Sequence, residues 1–479
     1  MVRTMVFPLS AVLLAAACGG GSGGEEPRSA RERSSDKDVD FTSCQEATCA
    51  GEIDGAAYEI LMPQAWNGTL LLYSHGYRQA EPAPPEFKEP STKAEPAPGW
   101  STGDEQVAQA LLDQGYALAG SAYASNGWAV EDGVEAGEAL HEYFVENIAD
   151  PDRTYVWGDS LGGLITELIA ERNPEWVTGA APLCGVLAGP TANLDLSLDV
   201  SYATKTLLDP ELELTGYSDW DDAVANWEGA YDAVIAAGSD VETGVPKILL
   251  IAALTDAPTR TRDFDGADIE SQVRARAEAS LTALGYGTYG RYEIEQRFGG
   301  NPSTNVGADY GARIDDEERT LIDSVGGAGT TDALLAELET GERVVADEAA
   351  REAFATSGTP TGAVKDPTIT LHTVADPLVL VQNESVFAAR SAANEERSSD
   401  LVQLYSVPPA SYSPVEGAPY GAGHCNFSSD ERLGMIALLD GWARDGVYPA
   451  AAAVRRAFGD ENGYEPNYKP AAWPAELDR

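Results

Sequence analysis

Ser160 lies at the centre of Gly158-Asp159-Ser160-Leu161-Gly162, within the run RTYVWGDSLGGLITELIA. A serine flanked by glycines matters chemically only if the backbone bends sharply there, because small neighbours let the hydroxyl rise clear of the surrounding chain. The flanks supply that setting. Arg153 to Trp157 is a β-branched and aromatic run, and Leu161, Leu164, Ile165, Leu168 and Ile169 recur at helical spacing. Strand, tight turn and helix are therefore expected, with Ser160 presented as a nucleophile. A hydroxyl is a weak nucleophile at neutral pH, so a base must be found elsewhere in the chain.

Composition bounds the class of protein that could carry such a group. The chain has 479 residues, 43% of them apolar, with 9 Trp, which excludes disorder over its whole length. Its net charge of -47 makes nucleic-acid binding untenable, because phosphates would be repelled. We read the acidity as a solvated surface and assign it no binding role.

Residues 1–18, MVRTMVFPLSAVLLAAAC, pair one early cation, Arg3, with a short apolar stretch and small residues, as an export signal does. The stretch is too short to span a bilayer stably. Ala15-Ala16-Ala17-Cys18 resembles a bacterial lipobox, with Leu14 one position early. Cys18 is accordingly expected to carry the lipid of a cell-envelope lipoprotein, and plain secretion is the alternative. Residues 19–42 are Gly/Ser-rich and then charged, as in a flexible tether. The lipid would be the sole membrane attachment.

Five cysteines are present, and setting Cys18 aside leaves Cys44, Cys49, Cys184 and Cys425 in a compartment that permits disulfides. Three pairings are open. One joins Cys44 to Cys49 in a small surface loop and leaves Cys184 for Cys425. The spacings match no zinc pattern, and no metal or cofactor is expected.

Beyond residue 43, strand and helix patterns alternate as in a mostly parallel sheet flanked by helices. Expected strands are 57–62, 69–74, 116–122, 177–184, 368–373 and 401–407. Expected helices are 103–114, 131–147, 383–392 and 430–445. The alternation breaks for about 180 residues after Cys184. The expected organisation is core 43–188, an insertion at 189–365 and core 366–479.

Three blocks in this order resemble the α/β-hydrolase family, over roughly residues 50–190 and 365–450. GDSLG matches its nucleophile elbow; TITLHTVADPLV matches its acid turn, with Asp376 beyond a buried strand; YGAGHCNF places His424 in a loop after the last strand. The resemblance implies the α/β-hydrolase fold and the chain order Ser, acid, His. It makes Ser160 the nucleophile, His424 the general base and Asp376 the residue that orients and stabilises the imidazole. Asp256, ending the strand-like run KILLIAALTD, is the rival acid. His141 falls in a helix and His372 inside a strand, and both are expected to be structural. His75-Gly76-Tyr77 resembles the oxyanion loop, so the amides of Tyr77 and Leu161 would hold the oxyanion beside Gly76. His75 and Trp128 are candidates to touch substrate.

A Cys184–Cys425 bond would tether the strand after the elbow helix to the His424 loop. Tannases and feruloyl esterases also hold that loop by a disulfide, but from a cysteine adjoining the nucleophile, where this chain has Asp159. Polyphenolic esters are therefore only one substrate option. The insertion at 189–365 occupies the family's lid position; NLDLSLDVSYATKTLLDP is expected to form helix against the active-site mouth, and TDALLAELETG another helix. QAEPAPPEFKEPSTKAEPAPG reads as an extended surface loop near the entrance. DFDGAD at 263–268 lacks the downstream Glu of a calcium loop and reads as a solvated turn.

The functional expectation is an exported serine hydrolase cleaving small-molecule or polymeric carboxylic esters through an acyl-enzyme. The alternatives are a prolyl- or tripeptidyl-type serine aminopeptidase, which needs lid carboxylates for the substrate amine, and a non-catalytic surface binding protein on the same scaffold.

Overall fold

The computed structural model describes residues 48–84, 87–257, 269–409, 422–459 and 463–477, with backbone alone at 411–412 and 419–421. In chain order its long strands are Thr48–Ile53 (β1), Ala56–Leu61 (β2), Thr69–Ser74 (β3), Ala117–Ser121 (β4), Arg153–Asp159 (β5), Gly179–Leu183 (β6), Thr368–Thr373 (β7) and Leu401–Ser406 (β8). They form one sheet in the order β1-β2-β4-β3-β5-β6-β7-β8. β1 and β2 are antiparallel, as are β2 and β4, and all pairings from β4 to β8 are parallel. This order is that of the α/β-hydrolase fold.

Parallel neighbours need crossovers, and the crossovers cover both sheet faces. The helices of the first half are Gln106–Asp113 (α1), Val130–Asn147 (α2) and Leu161–Arg172 (α3). Within β3 the side chains alternate: Leu70 and Leu72 join the core under α2 and α3, whereas Leu71 and Tyr73 join the opposite core. The chain leaves β3 for β4 on one side and returns to β5 on the other, so the carboxyl ends of β3 and β5 lie side by side, with Ser74 opposite Gly158. A crevice opens at such a switch point. It is there that the 75–77 loop meets Ser160.

Between β6 and β7 runs a helical insertion: Pro190–Leu207 (α4), Trp220–Gly238 (α5), Gly244–Ala253 (α6), Ile269–Gly287 (α7), Tyr289–Phe298 (α8), Asp316–Gly326 (α9), Thr330–Leu338 (α10) and Glu348–Gly358 (α11). It has its own core, containing Trp220, Trp227, Leu249, Leu284 and Tyr310. Buried ion pairs cross it: Arg351 to Asp195 at 2.9 Å and Arg313 to Asp199 at 2.8 Å. Asn383–Ala393 (α12) follows β7, and Ser429–Asp445 (α13) and Ala451–Phe458 (α14) close the chain. α13 and α14 join α1 on the second face of the sheet.

Three expectations need correction. KILLIAALTD is not a strand: Lys247 to Ala253 belong to α6, buried along nearly its whole length, and Leu254 to Asp256 follow it. A continuous apolar run carries no period that separates a buried strand from a buried helix. The 79–99 segment is not a surface loop throughout, since Ala94 to Pro98 are buried and Arg78 reaches Glu95 at 2.7 Å. The helix α14 and the strand β1 were not anticipated. Residues 1–47, including Cys18 and Cys44, and the 263–268 run lie outside the described residues. Among the described residues, no helix is long and apolar enough to cross a membrane.

Candidate active site

The elbow forms where β5 runs directly into α3. Ser160 sits between them at φ 61 and ψ -122, a left-handed conformation that a non-glycine residue adopts only when its surroundings enforce it. They do so through close backbone packing. A Cβ at Gly162 would lie 2.0 Å from the Ser74 carbonyl oxygen, and one at Gly158 would lie 2.4 Å from the same atom. The Ser160 amide donates to Leu183 O at 2.9 Å, which anchors the turn to β6.

Ser160, His424 and Asp376 come together although 264 residues separate the first two. Ser160 Oγ lies 2.6 Å from His424 Nε2, and His424 Nδ1 lies 2.9 and 2.8 Å from the two oxygens of Asp376. Asp376 is fully buried in the turn after β7. Its Oδ1 accepts the amides of Leu378 and Val379 at 2.9 Å each, and its Oδ2 accepts Cys425 N–H at 3.0 Å. Burial alone would raise its carboxyl; the charge and hydrogen bond of His424, the charge of His372 and the Cys425 amide outweigh it and leave the pKa below the ordinary value. Asp256 is elsewhere, after α6, where it accepts a hydrogen bond from Gln382.

The His424 loop is fastened from three sides. Asn426 donates to Pro409 O and Ala422 O, and Ser428 starts α13 with a capping box to Glu431. Cys425 is joined to Cys184, at the carboxyl end of β6. Cys49 is also disulfide-bonded, and the proposed partner Cys44 lies outside the described residues.

A fourth fastening was not anticipated. Asp159, beside Ser160, accepts two hydrogen bonds from Arg432 Nη1 at 2.7 and 2.5 Å and one from the Tyr73 hydroxyl at 3.1 Å. Arg432 Nη2 also reaches Cys425 O at 3.4 Å. A buried ion pair thus links the elbow to the His424 loop. The only signal in the sequence was an acid preceding the serine, with no clue to its partner.

On the other side of Ser160, Gly76 passes so close that a Cβ there would lie 3.2 Å from Ser160 Cβ. Leu161 is the first residue of α3, so its amide has no intrahelical acceptor and points along the positive end of the helix dipole. The Tyr77 amide follows Gly76 on the same loop. His75 does not reach substrate space: its ring is buried, stacks on Tyr123 at 3.9 Å and lines no part of the cleft. Burial, helped by the charge of Arg78, pushes its pKa down to about 3, so it is neutral. His141 is likewise buried and stacks on Trp176.

Above Ser160 lies a cleft with ≈ 840 Å³ of empty space, open to solvent. Tyr77, Trp128 and Val186 line it from the core; Leu194 and Val200 of α4, Ala279, Ala283 and Tyr286 of α7, and Ile294 of α8 line it from the insertion. Among the described residues, none that lines the cleft carries a charge. Trp128 is among these lining residues, and the means of holding it was not legible in the sequence. Its amide donates to Glu293 of α8 at 2.9 Å, and Arg297, paired with Glu293 at 2.7 Å, donates to Asn126 O at 2.7 Å.

No protein-family model matches the chain, and no curated protein matches it. Among solved structures, feruloyl esterase B from Aspergillus oryzae aligns with 84% of this chain and 80% of its own, at 14% identity and TM-score 0.38. The rice cell wall degrading esterase LipA from Xanthomonas oryzae aligns with 75% of this chain and 82% of its own, at 16% identity and TM-score 0.34. Likenesses this weak decide nothing about activity, and the fold class rests on strand order.

Proposed function

We propose that the protein is an exported serine hydrolase that cleaves carboxylic esters. His424 Nε2 takes the Ser160 proton as Oγ attacks the ester carbonyl, and Asp376 holds the imidazole and stabilises its charge. The amides of Tyr77 and Leu161, beside Gly76, receive the oxyanion, at roughly 3 kcal/mol per donor. His424 then protonates the leaving alcohol, and water, activated by the same imidazole, releases the acid from the acyl-enzyme. The proton transfers close among Ser160, His424, the leaving alcohol and water, with Asp376 stabilising the imidazolium, so the cycle draws on no cofactor or metal.

The observation that carries this reading is the continuous hydrogen-bonded chain from Ser160 Oγ through His424 to Asp376, opening into the cleft. The insertion acts as a lid over that cleft, whose apolar walls suit a bulky or aliphatic acyl or alcohol group from a small-molecule or polymeric ester. An aminopeptidase would need a carboxylate at the cleft wall for the substrate amine, and among the described residues the lining carries none. A pure binding role leaves the Ser160 chain without purpose. In the cell the protein would act at the envelope, anchored by a lipid on Cys18 as its only membrane attachment, and would bind no nucleic acid.

The test is hydrolysis of p-nitrophenyl butyrate by protein lacking residues 1–40, beside its Ser160→Ala variant. Turnover should fall by at least about 10⁴-fold in the variant. An inactive parent protein would reject the ester reading.

A further inference from the structure

His372 lies on β7 and is fully buried. Both of its ring nitrogens face acceptors: Nδ1 is 3.2 Å from Glu384 Oε1, and Nε2 is 2.8 Å from Val379 O. A neutral imidazole has one N–H and can serve only one of them; two acceptors require the imidazolium. The proton on Nδ1 could instead belong to Glu384, but Glu384 Oε2 accepts from Thr370 Oγ1 and Gln403 Nε2, both at 2.6 Å. Donors of this kind favour the carboxylate over the acid form.

Val379 connects this pair to the reacting groups. Its carbonyl accepts from His372, while its amide donates to Asp376 Oδ1 at 2.9 Å. The ring therefore grips the turn whose amides aim Asp376 at His424, and its charge faces Asp376 from below. We propose that His372 is a permanent imidazolium, a positioning residue that clamps the Asp376 turn and sets the electrostatic potential of the acid. The role rests on the serine-hydrolase reading above; the charge itself does not.

The surroundings are consistent with a charged ring. Burial opposes its proton, but the hydrogen bond and charge of Glu384 on α12, the charge of Asp376 and the Val379 carbonyl outweigh that, and the pKa is raised. Glu167 of α3 faces Glu384, and burial holds its carboxyl far above the ordinary range, so it adds no competing charge. Tyr405 of β8, also near Glu384, stays a neutral phenol for the same reason.

The test has two arms. In wild-type protein labelled with ¹⁵N-histidine, both His372 ring nitrogens should remain in the N–H form from about pH 5 to 9. Glu384→Gln then removes the charge while keeping the bonds, because the glutamine amide can donate to Nδ1 of a neutral ring whose Nε2–H still serves Val379 O. That variant should show one N–H on His372, and the acid limb of its kcat/KM profile should move to higher pH with KM unchanged. A merely structural pair would leave the limb where the wild type has it. The double variant His372→Asn/Glu384→Gln releases the clamp without stranding a charge, and its kcat should fall at least about ten-fold. A single protonated nitrogen in the wild type, or an unmoved acid limb in Glu384→Gln, overturns the proposal. If the wild type hydrolyses no ester, the reading of function fails while the NMR arm still decides the charge.

Discussion

Replacing Arg432 by Met tests whether the buried Asp159–Arg432 pair holds the elbow to the His424 loop. Both side chains are 7% exposed and the bonds are 2.7 and 2.5 Å, so the charge centres lie about 3.5 Å apart. At an effective dielectric constant of about 20, their attraction is on the order of 5 kcal/mol. Desolvation of both ions offsets much of this, so the pair contributes little net stability as a unit. Removing one partner is different, because Asp159 would then be left charged and buried with the Tyr73 hydroxyl at 3.1 Å. That costs about 3–5 kcal/mol, a large share of a total stability of about 5–15 kcal/mol. Asp159→Asn in the same background removes the stranded charge and should recover at least about 2 kcal/mol of the loss. Urea unfolding of the two single variants and the double variant, followed by fluorescence, completes the cycle. The reasoning fails if Arg432→Met costs under about 1 kcal/mol, or if the double variant loses the sum of the two singles.

Other consequences follow from single groups. Burial raises Glu278 on α7 to about 8. Its folded pKa thus exceeds the unfolded value of 4.5, so the stability it contributes is present at low pH and lost as pH climbs through 4.5 to 8. Glu278→Gln should therefore raise the unfolding free energy from urea titration at about pH 8 by on the order of a few kcal/mol, and change it little at about pH 4. Equal shifts at both pH values would count against the assignment. Reducing the Cys184–Cys425 bond opens a loop with a sequence separation of 241. By chain entropy this removes up to about 5 kcal/mol, and the urea midpoint should drop on adding a phosphine reductant. An unchanged midpoint would mean that the loop is held by its other fastenings. Ala279→Phe fills the cleft wall opposite Ser160. It should lower kcat/KM for an octanoate ester at least about ten-fold relative to an acetate ester, whereas an equal loss on both would place the acyl group elsewhere.

Where interactions are local, the sequence sufficed. The strand, turn and helix around Ser160 follow from residues within a dozen positions, although the glycines at 158 and 162 are demanded by the close approach of Ser74 on β3. The boundaries of β3, α3 and β7 were legible because their patterns are strong and bounded by turn residues. The α6 run was misread because it is apolar on every side, which erases the period that distinguishes helix from strand. His75 was read as a substrate contact because the loop it begins does border Ser160. Its own ring turns the other way, against Tyr123.

The sequence by itself determined the class of fold, the order Ser160, Asp376, His424 and the presence of a helical insertion, because alternation of short patterned segments and turn chemistry are written locally. Only the tertiary structure decided that Asp376 rather than Asp256 faces His424, that Cys184 meets Cys425, and that Asp159 finds Arg432 across 273 residues. It alone showed that His372 and Glu384 pair beneath the acid turn, and that α4, α7 and α8 wall the cleft over Ser160. The physical reason is range. A charge or thiol in a linear chain does not specify its partner, and a buried group acquires one only when the packed core sets which side chains share a space from which water is excluded.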